Sequence, residues 1–197
     1  MAAVCLILAS ASPRRADLLR AAAIPFEIVP AEIDETRLPG EAPEAYVRRV
    51  AEAKVRAVGG RFSGRSVLAA DTAVVVGSDV LGKPIDQADA TRMLGLLSGR
   101  VHEVLTAVCL LTPAGPDAGR VLRMEVESTR VSFASLTVAE IAWYVASGEP
   151  FDKAGAYAIQ GLASRFVTRI DGSYTNVVGL PIERVYQMCT AAGMLVS

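Results

Sequence analysis

The amino-acid sequence predicts a protein of the α/β class. Apolar runs of strand length alternate along the chain with segments whose apolar residues recur at helical spacing. The composition agrees, because 52% of the 197 residues are hydrophobic and 21% are charged, which is ordinary for a soluble α/β protein. No linker-like stretch divides the chain. We therefore expect one domain over residues 1–197.

Charge and residue usage argue against several classes of protein. The formal net charge of −1 disfavours a protein that grips long nucleic acid, which needs a concentrated positive surface, but it leaves small phosphorylated ligands open. The longest apolar runs are far shorter than the roughly 20 residues of a membrane span. The charges near the N-terminus follow the apolar segment, unlike those of a signal peptide. Cys5, Cys109 and Cys189 are widely spaced and predict buried thiols in a reducing cytoplasm.

The periodicity of the apolar residues and the positions of Gly and Pro predict the order of the strands and helices. The two long β segments near the middle of the chain are expected to pair antiparallel across the turn PAGPDAG, and the only histidine, His102, is expected to be structural or adjacent to substrate. The predicted strands are Val4–Ala9, Phe26–Val29, Val67–Val76, Val101–Thr112, Val121–Phe133 and Phe166–Ile170, and the predicted helices begin at Pro13 and span Pro43–Val58, Gln87–Leu97, Val138–Ala146 and Pro181–Ala192.

The most informative strand is Val67–Val76, which is apolar except for the polar pair Asp71 and Thr72. A carboxylate buried there without a partner would cost several kcal/mol or take up a proton. Asp71 is therefore expected either in a polar network or where the strand opens into a cleft. The cleft is favoured because a second polar group, Lys83, follows closely.

The segment after this strand resembles a phosphate-binding loop only superficially. Residues 77–83 fit G-x-x-x-x-G-K, but Pro84 stands where that motif needs a Ser or Thr hydroxyl and disfavours helix at Lys83. We therefore expect a hairpin that turns at Gly77 to Asp79. Lys83 is then either a point charge for phosphate or a solvated surface lysine.

The first strand, turn and helix suggest an anion site. Ser12 is a natural N-cap and Pro13 is suited to the first helical position, so the positive end of the helix dipole is expected above the strand. Arg14 and Arg15 add two guanidinium groups suited to bidentate contact with phosphate. A capped helix with solvated arginines explains these residues about as well.

Acidic residues and one lysine suggest a metal site nearby. Glu32, Asp34 and Glu35 lie in a weakly patterned loop, and Glu35 together with Asp71 could hold a hard cation of the magnesium type. Loop acids are more often simply solvated. Lys54 lies on the apolar side of the helix Pro43–Val58, where a lysine must snorkel or find a counter-ion.

The segment GEPFDKAGAYAIQG, residues 148–161, is too polar and too rich in glycine for a core strand. It contains the charged pair Asp152 and Lys153 and a lone Gln160. A binding loop is the natural interpretation.

Seven separated motifs cover nearly the whole chain: LASASPRRADLL, DE at residues 34–35, AADT, GKP, LSGRVHEVLTAV, GEPFDKAGAYAIQG and GSYTNVVGLP. Together and in this order they resemble the Maf family of nucleotide pyrophosphatases. The resemblance implies an inosine-triphosphatase-like fold, with a long mixed β-sheet flanked by helices and a cleft between two lobes. It also implies a cytoplasmic hydrolase that depends on a divalent cation, Mg²⁺ with Mn²⁺ or Co²⁺ as alternatives.

Within that family, DKAGAYAIQG resembles the branch that acts on dTTP and UTP, whereas the branch that prefers 7-methyl-GTP has a different sequence there, without the Asp-Lys pair. Ala158 stands where many relatives have glycine, a small change. The resemblance assigns a role to each of eight positions: Asp71 matches the proton acceptor; Arg14, Thr72 and Gln160 match positions associated with selectivity; Ser10, Glu35, Lys54 and Lys83 match other cleft residues. In the mechanism that fits this pattern, Glu35 and Asp71 hold the metal ion.

The resemblance implies cleavage of a nucleoside triphosphate to its monophosphate and pyrophosphate, by attack of water on the α-phosphorus. Two other functions stay open, together with the 7-methyl-GTP branch. One is a regulator of cell division or septum formation that binds nucleotide without turnover. The other is a phosphatase that forms an aspartyl-phosphate on Asp71, although such enzymes usually carry two acids at the nucleophile. The expected partner is the nucleotide substrate, with no long nucleic acid and no membrane, and a homodimer is left open.

Overall fold

The computed structural model describes residues 6–113 and 119–195. The elements follow the predicted order, with strands and helices close to the expected boundaries. The strands are β1 (Leu6–Leu8), β2 (Phe26–Ile28), β3 (Val67–Val76), β4 (Asp79–Leu81), β5 (Val101–Thr112), β6 (Val121–Phe133) and β7 (Val167–Asp171). The helices are α1 (Pro13–Ala21), α2 (Pro43–Gly59), α3 (Gln87–Leu97), α4 (Val138–Ala146), α5 (Tyr174–Val178) and α6 (Ile182–Ala191).

The strands of the described residues form one seven-stranded sheet in the order β2-β1-β3-β5-β6-β7, with β4 paired to β3. Strand β1 runs parallel to both β2 and β3, whereas β4 is antiparallel to β3 and β7 is antiparallel to β6. The sheet is therefore mixed, and the predicted α/β class is confirmed. Strands β5 and β6 are neighbours as expected, but residues 114–118 of the turn PAGPDAG and Cys5 lie outside the described residues.

The chain divides into two compact units, each assembled from separate segments. The first unit contains residues 6–71, 106–113, 119–127 and 179–195. Its core is aliphatic: side chains of β1, β3 and β5 pack with those of α1 and α6. Burial of this apolar surface provides the main stabilisation of the unit, and the buried thiols Cys109 and Cys189 belong to it as expected.

The second unit contains residues 72–105 and 128–178. Its core includes an aromatic cluster in which His102 and Phe133 meet at a centroid distance of 5.0 Å, and Phe133 and Tyr157 at 4.8 Å. These rings adopt edge-to-face arrangements, which place the positive edge of one ring against the negative face of another. His102 thus belongs to a packed core, in agreement with its expected structural role.

Two local features differ from the sequence-based expectation. The segment after β7, where no helix was predicted, contains the short helix α5. Ser12 occupies the N-cap position of α1, yet its side chain makes no capping hydrogen bond, so that part of the prediction is wrong. By contrast, the expected hairpin after β3 is confirmed: Gly77 adopts a positive φ of 59°, and Val76 pairs with Asp79 across the turn.

No helix within residues 6–113 and 119–195 is long and apolar enough to cross a membrane.

Candidate active site

Lys54 is the centre of a charged cluster in the first unit. Its ammonium Nζ lies 2.8 Å from Oδ1 of Asp71 and 3.0 Å from Oε1 of Glu35. Both Lys54 and Asp71 are buried, at 6% and 5% exposure, whereas Glu35 is partly exposed. Helix α2 therefore carries its one buried lysine to the polar interruption of β3. Of the two alternatives predicted for Lys54, snorkelling or a counter-ion, the structure shows the second, with two carboxylates as partners.

Asp71 is held in a mixed electrostatic environment. Burial raises the pKa of its carboxyl group above the ordinary value of 3.8, while the positive charges of Lys54 and Arg15 oppose that rise. Only one of its oxygens is used by Lys54, and the buried Oδ2 has no hydrogen-bond partner among the described residues. A buried lone pair of this kind is suited to accepting a proton or coordinating a cation.

Arg15, the neighbour of Arg14, belongs to this cluster. It is buried, and its guanidinium donates to the Gly179 carbonyl at 2.8 Å and to Ser10 Oγ at 3.2 Å. Burial lowers its pKa, and the charges of Asp71 and Glu35 oppose that effect. The sequence analysis treated Arg14 and Arg15 alike as possible phosphate contacts, and the resemblance matched only Arg14 to a site position. Arg15, however, lies four residues before the buried Leu19, which places both on the inward face of α1. Arg14 is half-buried beside it.

The start of α1 is organised by Ser10. Ser10 is buried directly after β1, and its hydroxyl accepts from the Ser12 backbone N–H at 3.2 Å as well as from Arg15. Pro13 then begins the helix, as expected. Ser10 thus fixes the backbone at the helix start, whereas the proposed anion contact there stays a prediction.

The acidic loop contributes one of its three carboxylates to the cluster. Glu35 reaches Lys54, whereas Asp34 accepts from the Thr36 backbone N–H at 2.8 Å, and Glu32 is exposed. Arg49 holds the following segment by donating to both carboxylate oxygens of Glu41, at 2.7 and 2.8 Å.

Tyr46 borders the same charges without having been singled out by sequence. Burial, together with the charges of Asp71 and Glu35, raises the pKa of its phenol to about 12. Its hydroxyl therefore stays protonated at neutral pH and can serve as a hydrogen-bond donor.

The residues present fit a divalent cation. The described part of the chain contains no group of three or more His, Cys, Asp and Glu side chains that could hold a metal. Mg²⁺, however, is commonly bound through one or two carboxylates and takes its other ligands from water and substrate phosphates. Glu35 and Asp71 meet at a single ammonium group, so their oxygens are close together, and Oδ2 of Asp71 is unengaged.

The other predicted site residues belong to the second unit. Thr72 is half-buried in β3, next to Asp71. Lys83 is exposed and follows β4. Gln160 is exposed in the predicted binding loop.

That loop is fastened to the second unit at two points before Gln160. The backbone N–H of Gly155 donates to the Gly82 carbonyl at 3.0 Å, and the Tyr157 hydroxyl lies 2.8 Å from His102 Nε2. Gly155 has a φ of 70°, and a Cβ there would lie 2.8 Å from the Val74 side chain. Glycine is therefore required at this position by both its backbone and its close contact.

Comparison with known proteins gives the same family as the motifs. Residues 5–192 match the sequence model of the family described as Maf-like protein. The chain is 52% identical to the dTTP/UTP pyrophosphatase of Koribacter versatilis over 190 residues, which cover 96% of this chain and 95% of that protein. It is 55% identical to the dTTP/UTP pyrophosphatase of Anaeromyxobacter dehalogenans (strain 2CP-1) over 188 residues, covering 95% and 94% of the two chains.

A further relative and one solved structure complete the comparison. The dTTP/UTP pyrophosphatase of Syntrophomonas wolfei is 54% identical over 186 residues, which cover 94% of this chain and 96% of that one. The Staphylococcus aureus Ham1 protein structure is similar with a TM-score of 0.49 and 14% identity, over 95% of this chain and 98% of that chain. The family match and the identities over nearly the full length confirm the resemblance found in the motifs: this chain belongs to the Maf family.

Proposed function

We propose that this protein is a nucleoside triphosphate pyrophosphatase that hydrolyses dTTP and UTP to the monophosphate and pyrophosphate. The observation that carries the proposal is the buried cluster of Asp71, Lys54 and Glu35, which combines an unengaged carboxylate oxygen with a fixed positive charge. The names of relatives that are more than 50% identical over nearly the whole chain support the substrate assignment.

Asp71 is the proposed proton acceptor. As the water oxygen forms its bond to the α-phosphorus, its proton passes to Asp71, and the bond from the α-phosphorus to the bridging oxygen breaks, releasing pyrophosphate. A carboxylate whose pKa is raised by burial is a stronger base than an ordinary aspartate, which favours this transfer. Lys54 keeps Asp71 oriented through its 2.8 Å contact.

A divalent cation is proposed to be held by Glu35 and Asp71. When bound, it would neutralise charge on the phosphate oxygens. Mg²⁺ is the proposed ion, and Mn²⁺ and Co²⁺ remain alternatives. The residues of the first unit that we propose to bind phosphate are Ser10, Arg14 and Lys54.

Three residues of the second unit are proposed as substrate contacts. Lys83 would provide a positive charge for phosphate, as its match to the family pattern suggests. Thr72 and Gln160 match positions associated with selectivity. The Gln160 amide has both a donor and an acceptor, which suits the O4/N3 edge of uracil or thymine.

Three broader aspects of the protein also belong to this proposal. We propose that residues 1–197 act as a single Maf domain and that the enzyme works in the cytoplasm on free nucleotides. A homodimer is the assembly proposed for testing, by measurement of the mass of the protein in solution.

A panel of nucleoside triphosphates incubated with Mg²⁺ tests the proposal. We expect UTP and dTTP to be hydrolysed with release of pyrophosphate. CTP should be poorer by roughly ten- to a hundredfold in kcat/KM, because its amino group places a donor where uracil has an acceptor.

The same panel discriminates the alternatives. Nucleotide binding without turnover would indicate a regulator, and release of orthophosphate with a trapped phosphoenzyme would indicate an aspartyl-phosphate mechanism. A clear preference for 7-methyl-GTP, or equal use of CTP and UTP, would contradict the branch assignment even if pyrophosphate is released.

A further inference from the structure

Glu149 connects helix α4 to the loop segment that contains Gln160. The sequence analysis gave Glu149 no role. Its Oε2 accepts from the Leu162 backbone N–H at 2.9 Å, and its Oε1 accepts from the Tyr144 hydroxyl at 2.8 Å. The Ala163 N–H lies 3.4 Å from the same Oε1. One carboxylate therefore receives hydrogen bonds both from α4 and from the backbone just after Gln160.

Tyr144 extends this connection to the other side of Gln160. Its hydroxyl donates to Glu149 and accepts from the Ala158 backbone N–H at 3.2 Å. Residues 158 and 162 are thus tied to the same pair of side chains, and Gln160 lies midway between them. We call this pair, Glu149 and Tyr144, the loop brace.

The loop brace is itself held rigidly. Tyr144 is fully buried and packs perpendicular to Phe166 at a centroid distance of 5.6 Å. Burial and the neighbouring Glu149 raise the pKa of the Tyr144 phenol, so that it stays a donor to the carboxylate. A hydrogen bond from a neutral donor to an ionised acceptor is stronger than one between neutral groups.

Gly161 leaves the space in which the Glu149 carboxylate lies. A Cβ on Gly161 would be 2.2 Å from Oε2 and 2.5 Å from Oε1 of Glu149. The backbone beside Gln160 therefore approaches the carboxylate more closely than any other amino acid would allow. Any larger residue at 161 would displace Glu149 from its hydrogen bonds.

We infer that Glu149 is a positioning residue that sets base selectivity by fixing the loop that presents Gln160. The inference rests on the proposed function, in which the Gln160 amide pairs with the pyrimidine edge. An exposed amide on a mobile loop could rotate or shift to pair with either uracil or cytosine. Selectivity therefore requires the backbone on both sides of Gln160 to be held, which is what the loop brace does.

Substitution of Glu149 tests this inference through selectivity as well as stability. For Glu149→Ala we expect the ratio of kcat/KM for UTP to that for CTP to fall at least about fivefold, with an increase in KM for UTP. Glu149→Gln, which keeps the shape but replaces one acceptor by a donor, should lie between Glu149→Ala and the wild type. Hydrogen exchange of the backbone amides in residues 158–163 should become faster in both variants.

A matched control separates positioning from general destabilisation. Glu140 belongs to the capping box of the same helix, α4, through its hydrogen bonds to Thr137, and its hydrogen bonds within the described part of the chain do not include the loop brace. Glu140→Ala should lower the thermal stability without changing the UTP to CTP ratio. Equal changes of that ratio in Glu140→Ala and Glu149→Ala would overturn the inference.

A double-variant cycle gives a second test. Gly161→Ala should lower the UTP to CTP ratio on its own, because the new methyl group displaces the carboxylate. Once Glu149 is alanine, Gly161→Ala should have little further effect, because there is no carboxylate left to displace. Full additivity of the two substitutions would contradict the proposed connection.

The outcomes distinguish this inference from the proposed function. A wild-type enzyme that uses UTP and CTP equally overturns base reading by Gln160, and with it the selectivity role of Glu149. A wild-type enzyme that prefers UTP, combined with an unchanged ratio in Glu149→Ala, overturns only the role of Glu149. Unchanged amide exchange in residues 158–163 would show that the loop does not depend on the brace.

Discussion

The stability of this protein should fall between pH 7 and pH 5 because of one buried histidine. His102 is the only histidine in the chain and is 1% exposed. Burial lowers its pKa from 6.5 to about 4. Its Nε2 pairs with the Tyr157 hydroxyl, and its Nδ1 has no hydrogen-bond partner among the described residues. Protonation would therefore bury a charge and leave an N–H donor unpaired.

The sign and size of the effect follow from the two pKa values. The unfolded chain takes up a proton near pH 6.5, whereas the folded protein resists protonation until about pH 4. The stabilisation is therefore present above pH 6.5 and is lost as the pH falls through this window. At about 1.4 kcal/mol per pKa unit, the complete loss is about 3 kcal/mol, of which about 2 kcal/mol occurs between pH 7 and pH 5.

Urea denaturation of the wild type and of His102→Phe at both pH values measures this contribution. Phenylalanine keeps a ring against Phe133 and Tyr157 but does not titrate. The variant loses the hydrogen bond to the Tyr157 hydroxyl, which lowers its unfolding free energy equally at both pH values. This loss therefore cancels when the two pH values are compared. The difference in unfolding free energy between the two proteins should change by about 2 kcal/mol in favour of the variant on going to pH 5. A change below about 0.5 kcal/mol would refute the reasoning.

Three further predictions concern the site and the binding loop. Asp71→Asn should lower kcat by roughly 10² to 10⁴ without unfolding the protein, because the amide cannot accept the proton; near-normal turnover of the folded variant would remove Asp71 from the mechanism. Lys83→Ala should raise KM for the triphosphate more than it lowers the melting temperature, whereas unchanged kinetics would favour a solvated lysine. Gly155→Ala should destabilise the protein by about 2 kcal/mol or more in urea denaturation, because its Cβ would lie 2.8 Å from Val74. Gly148→Ala is the control that isolates this contact, because Gly148 has a φ of 78° but an added Cβ would meet no atom within 4 Å. Equal losses of unfolding free energy in the two variants would contradict a role of the Val74 contact.

The extent to which local sequence predicted the structure is clearest around β3. The apolar run defined the strand, Pro84 excluded a phosphate-binding loop, and the hairpin at Gly77 followed from residue types within a few positions of one another. Helix α1 was predicted to begin at Pro13 for the same reason. Its Ser12 cap was wrong because the backbone there is held by Ser10, whose position depends on β1 and on Arg15.

The candidate site was predicted only in part. The place of Lys54 on the apolar side of α2 predicted either snorkelling or a counter-ion, and the resemblance to the Maf family indicated Asp71 and Glu35. Arg14 and Arg15 were predicted as equivalent phosphate contacts because adjacent arginines look alike in sequence, and only the packing of α1 buries Arg15. Glu149 carried no sequence signal, since an acid after a glycine in a loop is ordinarily solvated.

The sequence by itself determined the α/β class, nearly all of the strands and helices, and the family. These depend on periodicity, turn chemistry and motifs, which are properties of neighbouring residues. The tertiary structure alone decided which charges meet. Lys54 and Asp71 are 17 residues apart and Arg15 and Gly179 are 164 apart, and no local pattern specifies such pairs. They form because the packed core brings polar groups out of water, where each one needs a partner.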